Sequence, residues 1–115
     1  MAEIEKEIHE KGLTAPRVTL ADIEDNIASE HYFTADDGVN GASGDTVRYG
    51  KSHPLRLLTF CVLVLRNGFT VTGESACVSP ENFDAELGRK IARENAINKV
   101  WPLMGYALKE QLARG

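Results

Sequence analysis

The sequence predicts an α+β fold: an antiparallel β-sheet centred on one long β-hairpin, packed by a C-terminal helix and preceded by short N-terminal helices. Three observations predict it. Leu55–Arg66 is a run of β-forming residues, Leu-Arg-Leu-Leu-Thr-Phe-Cys-Val-Leu-Val-Leu-Arg. Asn67-Gly68 follows at once, and this pair is the strongest short-range hairpin signal, because a type I′ turn needs positive φ at both central positions. Beyond the return strand Phe69–Val78, apolar residues recur at helical spacing through Leu87, Ile91, Ala96, Ile97, Val100, Trp101 and Met104, then Leu108 and Leu112.

At the N-terminus, Ala2–Lys11 carries Ile4 and Ile8 one helical turn apart in a charged stretch. It reads as a frayed or partner-dependent helix, since isolated helices this short are marginal in water. Gly12 stops it and Thr14–Arg17 is a linker, so residues 1–18 are expected to be mobile. Thr19 is an N-cap candidate with Asp22 in the following turn, and Leu20, Ile23, Ile27 and Ala28 share one face, which predicts an amphipathic helix over Leu20–Ser29. His31–Thr34 is a short strand candidate. Ala35–Asp45 has three glycines and three aspartates with little to bury, and reads as a surface loop. Its spacing lacks the alternating oxygen ligands and closing glutamate of a calcium loop. Thr46–Tyr49 is a second short strand candidate and Gly50–Pro54 a turn, so residues 35–54 form a loop insertion.

A two-residue turn at Asn67-Gly68 sets an expected register: Arg66 opposite Phe69, Val64 opposite Val71, Val62 opposite Gly73 and Phe60 opposite Ser75. Leu58, Phe60, Val62, Val64, Phe69, Val71 and Cys77 then form the core face. The other face would carry Thr59, Cys61, Leu63 and Leu65 beside Thr70, Thr72, Glu74 and Ala76. Such an apolar half-face calls for a cover, either the N-terminal helix or a second subunit. Ser79-Pro80-Glu81 is a helix-start signature, with Asn82 and Asp84 as later caps. Pro102 should kink or restart the C-terminal helix.

The composition narrows the function. The chain has 115 residues, 43% of them hydrophobic, which is enough for one domain with a core of its own. Its formal net charge of −4 argues against bulk electrostatic binding of DNA or RNA, so no nucleic acid polymer is expected as a partner. Cys61 and Cys77 lie in strand-like apolar runs and read as buried free thiols. Met1–Glu10 has no signal-peptide core, and the apolar run Leu57–Leu65 is about half of what spans a bilayer, so no membrane association is expected. His9, His31 and His53 all fall in polar segments, and no nucleophile elbow, P-loop, dinucleotide fingerprint or zinc spacing occurs. The chain therefore reads as a binding protein, without cofactor or metal, rather than an enzyme. Its arginines suit phosphates and its aromatic rings suit bases. The candidate ligand-binding residues are Arg48, Tyr49, Phe69, Asn82, Arg89, Arg93 and Lys99, within a wider polar set that includes Arg56, Arg66, Asn67, Glu74 and Ser75.

Leu65–Asp84, Leu-Arg-Asn-Gly-Phe-Thr-Val-Thr-Gly-Glu-Ser-Ala-Cys-Val-Ser-Pro-Glu-Asn-Phe-Asp, resembles the signature of the small phage proteins named for gene 49 of one phage and gene 66 of another. Gly88–Trp101 extends the likeness, and Gly105, Tyr106 and Leu108 close it. The family includes the first class of Thoeris anti-defence proteins. These are sponges that bind cyclic ADP-ribose isomers and hold them without cleaving them, and some are similar to sponges for cyclic oligonucleotides. The resemblance implies a homo-oligomer built from dimers, pockets at subunit interfaces, a cyclic nucleotide signalling molecule as ligand and the cytoplasm of a bacterial host as location. In that setting Arg48, Arg89 and Arg93 are expected to hold phosphates, Phe69 or Tyr49 to stack on a base, and Asn82 to bond a ribose or base edge. The alternative is a module that docks a host or virion protein through its apolar sheet face and C-terminal helix.

Overall fold

A computed structural model describes residues 2–115 and has the expected α+β architecture. Its elements are α1 (Ala2–Glu10), α2 (Leu20–Asp25), β1 (Ile27–Thr34), α3 (Ala35–Ser43), β2 (Leu58–Leu65), β3 (Thr70–Ala76) and α4 (Ala85–Arg114). The strands form one antiparallel sheet in the order β1-β2-β3, and α4 lies across one face of it. The 30 residues of α4 span about 45 Å. That exceeds the roughly 26 Å of an eight-residue strand, so the helix overhangs the hairpin tip and accounts for the long dimension, 54 Å, of the molecule.

The hairpin is where it was expected, but its register differs by one residue. Val64 pairs with Thr70, Leu63 with Val71, Cys61 with Gly73 and Thr59 with Ser75. The loop holds three residues, Arg66, Asn67 and Gly68, closed by hydrogen bonds from Gly68 N–H to Leu65 C=O (2.9 Å) and from Leu65 N–H to Phe69 C=O (2.8 Å). Only Gly68 takes positive φ, at 90°. This is the other common hairpin closure, a turn followed by one left-handed residue. A slip of one residue turns a whole strand over. Thr59, Cys61, Leu63 and Leu65 therefore face α4 together with Val71, and Leu58, Phe60, Val62 and Val64 lie on the open face. The strand β3 keeps the alternation read from its residues, with Thr70, Thr72 and Glu74 outward.

The core comprises Ile23, Cys61, Leu63, Leu65, Val71, Ala92, Ala96, Ile97 and Val100. Cys61 is buried and Cys77 half-buried, and both are free. Gly73 makes the helix–sheet contact possible: a Cβ there would lie 2.2 Å from Ala92 C=O and 2.3 Å from Ala96 N. Small residues on both sides let the backbones meet, which is why a glycine interrupts this strand. On the open face Phe33 and Phe60 stack with ring centroids 5.3 Å apart, and α3 meets Phe33 at Gly38.

Four further elements depart from expectation. The helix predicted over Leu20–Ser29 ends at Asp25, and Ile27–Ser29 join β1, because pairing with β2 outweighs the local apolar periodicity. Ala35–Ser43 is a helix rather than a loop. Thr34 N–H donates to the Asp37 carboxylate (3.1 Å) at its start, and Gly44 ends it at φ 73°. The expected loop insertion 35–54 is thus helical in its first half. Thr46–Tyr49 forms no strand. The long helix α4 starts at Asp84, whose carboxylate accepts from Leu87 N–H (2.9 Å), and it runs on through Pro102 without restarting. Pro80–Asn82 is a separate 3-10 turn. The helix read within Ala2–Lys11 is present as α1, and Glu5 accepts from Arg17 at 2.7 Å.

Candidate functional site

The chemistry-bearing cleft lies where the first two turns of α4 cross the ends of the strands. The sheet presents a row of hydroxyl residues there. Thr34 of β1 pairs with Thr59 of β2, and Thr59 pairs with Ser75 of β3, so the three lie side by side across the face beneath α4. Above the middle of the row sits Gly88, where a Cβ would lie 3.1 Å from Thr59 Oγ1. Thr59 and Gly88 divide the cleft into two chambers.

The larger chamber, about 250 Å³, has apolar walls from Leu57, Phe83, Leu87 and Ile91, with Thr59, Ser75, Asn82 and Asp84 as its polar groups. Its outer wall is the 3-10 turn, held by Cys77 Sγ donating to Ser79 C=O (3.1 Å) and Cys77 N–H donating to Leu57 C=O (2.9 Å). The smaller chamber, about 100 Å³, is lined by Tyr32, Phe33, Thr34, Asp37, Thr59, Ala85 and Arg89. Arg89 makes no ion pair among the described residues. Thr59 is 3% exposed, and its hydroxyl has no hydrogen-bond partner among the described residues. Among the described residues no cluster of three or more His, Cys, Asp or Glu side chains is placed to hold a metal.

A larger cavity, about 530 Å³, lies beneath the α4 overhang, between it and α2. Both of its cations and one of its acids are already engaged: Arg17 with Glu5, Arg66 with Asp25 C=O, and Asp22 with Thr19 N–H. The Thr59 cleft, with its free arginine and orphaned hydroxyl, is the better candidate despite its smaller volume.

The residues singled out from the sequence separate into groups. Asn82 and Arg89 both line the cleft. Arg93 does not: its guanidinium meets Glu24 through two hydrogen bonds, 2.7 and 2.9 Å, and Glu30 through a third, 3.1 Å. Those carboxylates hold its proton well above the usual range, the hydrogen bonds to Glu24 contributing most. Glu24 is held below the usual carboxylate range by the same hydrogen bonds. Tyr32, in the smaller chamber, donates to Glu30 (3.0 Å). Burial first and this bond second push the phenol above its ordinary pKa. Lys99 lies 3.9 Å from Glu74 on the exposed side of α4. Phe69, 55% exposed, sits at the hairpin tip, roughly 20 Å of strand away from Asn82. Tyr49 packs against His53 with the rings tilted by 44° and their centroids 4.4 Å apart, its carbonyl accepts from Arg56 (3.1 Å), and Arg48 beside it is exposed. A single chain therefore does not gather all seven. Thr59 and Gly88 escaped sequence reasoning; the one signal was a lone hydroxyl inside the apolar run Leu57–Leu65.

These features define a small two-layer α+β domain, one helix on one three-stranded sheet, with a polar-floored cleft at the start of the helix. The chain belongs to the phage protein (N4 Gp49/phage Sf6 gene 66) family, whose model matches residues 18–112. That span runs from α2 to within two residues of the end of α4 and leaves out α1. No curated protein and no solved structure matches it. Among the described residues no helix is long and apolar enough to cross a membrane.

Proposed function

We propose that this phage protein is a non-catalytic sponge that binds a cyclic nucleotide-derived immune signal, a cyclic ADP-ribose isomer or a cyclic oligonucleotide, in the cytoplasm of the bacterial host. The observation that carries the reading is the cleft: an apolar chamber suited to a flat ring adjoins a chamber with an unpaired arginine suited to a phosphate. The larger chamber, at about 250 Å³, is smaller than the roughly 300–1,000 Å³ of common ligand sites. A homo-oligomer whose second subunit walls the cleft would answer that shortfall. The open sheet face, with Phe33, Leu58, Phe60, Val62 and Val64, lies on the side of the sheet away from the cleft and provides apolar surface for a further contact between copies.

Calorimetry against cyclic ADP-ribose isomers and cyclic di- and trinucleotides tests the reading. Saturable binding with the ligand recovered intact is expected. No heat from any of them at micromolar protein rejects it. That outcome would favour the second reading, a module docking a host or virion protein, for which the same open sheet face is the supporting observation.

A further inference from the structure

We infer that a second anion site lies between two 3-10 turns, where Lys51 and Arg56 hold the phosphate of a small phosphorylated molecule of mononucleotide class and Phe83 walls its ring. The site is separate from the cleft beneath α4 and does not depend on the sponge reading.

The sequence supplies the charge. The chain has 17 acids against 13 lysines and arginines, yet no Asp or Glu stands between Asp45 and Glu74. That stretch holds Arg48, Lys51, Arg56 and Arg66. Arg66 is engaged at the hairpin loop by Asp25 C=O. Lys51 and Arg56 come together in a cavity of about 380 Å³, whose remaining walls are Pro80, Glu81 and Phe83.

Backbone hydrogen bonds fix both sides of this cavity. His53 N–H donates to Gly50 C=O (2.9 Å) and closes the tight turn that carries Lys51. His53 then caps the 3-10 turn Pro54–Leu57, its Nδ1 accepting from Leu55 N–H (3.2 Å), and Arg56 stands in that turn. Opposite lies the Pro80–Asn82 turn, where Phe83 N–H donates to Pro80 C=O (3.2 Å). The bond from Cys77 N–H to Leu57 C=O ties the two sides together. Cations presented on tied turns lose little freedom when an anion arrives.

The charge is also unspent. Neither Lys51 nor Arg56 makes an ion pair among the described residues, and Glu81 on the rim pairs with neither. Half-buried Arg56 uses one of its five N–H donors, on Tyr49 C=O (3.1 Å), which holds its side chain in place and leaves the rest of the fork open. Two cations in one cavity repel each other, and a phosphate dianion offsets both. Arginine meets phosphate with paired N–H groups and lysine with a point charge. The volume falls within the roughly 300–1,000 Å³ of common ligand sites, whereas the chamber beside Arg89, at about 100 Å³, does not.

The test is calorimetry and backbone-amide NMR of the full chain with AMP, adenosine and inorganic phosphate, at an ionic strength held constant with sodium chloride. AMP is expected to bind saturably and to shift the amides of residues 50–56 and 81–83. Phosphate should move the same amides more weakly, and adenosine should leave residues 50–56 in place. Lys51→Gln should lower AMP affinity about tenfold with unchanged melting, since Lys51 is exposed and unpaired. Glu81→Gln should raise that affinity. Lys90→Gln removes the same charge from an exposed position on α4 and should leave it unaltered. The inference is overturned if AMP and phosphate leave residues 50–56 unmoved, if chloride alone reproduces their shifts, or if Lys51→Gln binds AMP as the parent does. Each of those results leaves the sponge reading standing, and failure of the cyclic signals to bind leaves this site standing.

Discussion

Arg93 shows how a residue's partners decide its role. An arginine on α4, one turn from Arg89, has the same chemistry as Arg89. Yet Glu24 and Glu30 claim it, and Arg89 stays free. The pairing has a pH signature. Glu24 titrates below the ordinary carboxylate range in the folded chain, so its contribution is complete above the unfolded value near 4.5 and fades as pH falls through the lower folded value. The pair is partly exposed, so screening limits it to about 1 kcal/mol. Arg93→Ala should therefore lower stability by about that much at pH 7. The difference from the parent should shrink below pH 4, as read from urea unfolding at each pH. A difference that grows in acid would contradict this account of the network. None of this was visible in the sequence, because Glu24 and Glu30 lie more than 60 positions from Arg93 and only the β1–β2 pairing and the placing of α4 bring them together. Asn82 and Arg89 were named as candidates for their side-chain chemistry, and both line the cleft. Thr59 was not, because its place beneath Gly88 is set by the packing of α4 on the sheet.

Among the elements, the contact between β3 and α4 governs the fold. The helix rides on Gly73, with Ala92 and Ala96 above it. Gly73→Ala would place a methyl group 2.2 Å from a helix carbonyl, and backbone has no rotamer with which to escape. A loss of about 3 kcal/mol is expected, at the upper end of overpacking costs, measured as a fall in the urea midpoint with unchanged slope. An unaffected midpoint would mean that the helix and sheet sit farther apart. The same scale explains which elements the residues announced. The position of the hairpin was plain from Asn67-Gly68. Its register was not, because β2 is apolar at both alternations, Leu58-Phe60-Val62-Val64 and Cys61-Leu63-Leu65, and accepts either face as core. The loop decided the matter by drawing in Arg66, which donates to Asp25 C=O and whose N–H meets Asn26 C=O (3.0 Å). The helix α3 was hidden by its glycines and aspartates. What forms it is the capping pair Thr34 and Asp37, a short signal that composition alone obscured.

At the scale of the whole molecule, one face of the sheet is covered by α4 and the other is open, and the cleft sits at the end of the covered face. A lone helix on a lone three-stranded sheet leaves Phe60, Val62 and Val64 only partly shielded. Pairing of copies through the open face would cover that surface, whereas enlarging the binding site takes a contact at the cleft, on the other face of the sheet. The most direct test is native mass spectrometry of the full chain purified from bacteria that are making the cyclic immune signal. The account predicts an oligomer carrying the uncleaved nucleotide as added mass. A bare monomer from the same cells, with the signal left free in the lysate, would contradict it.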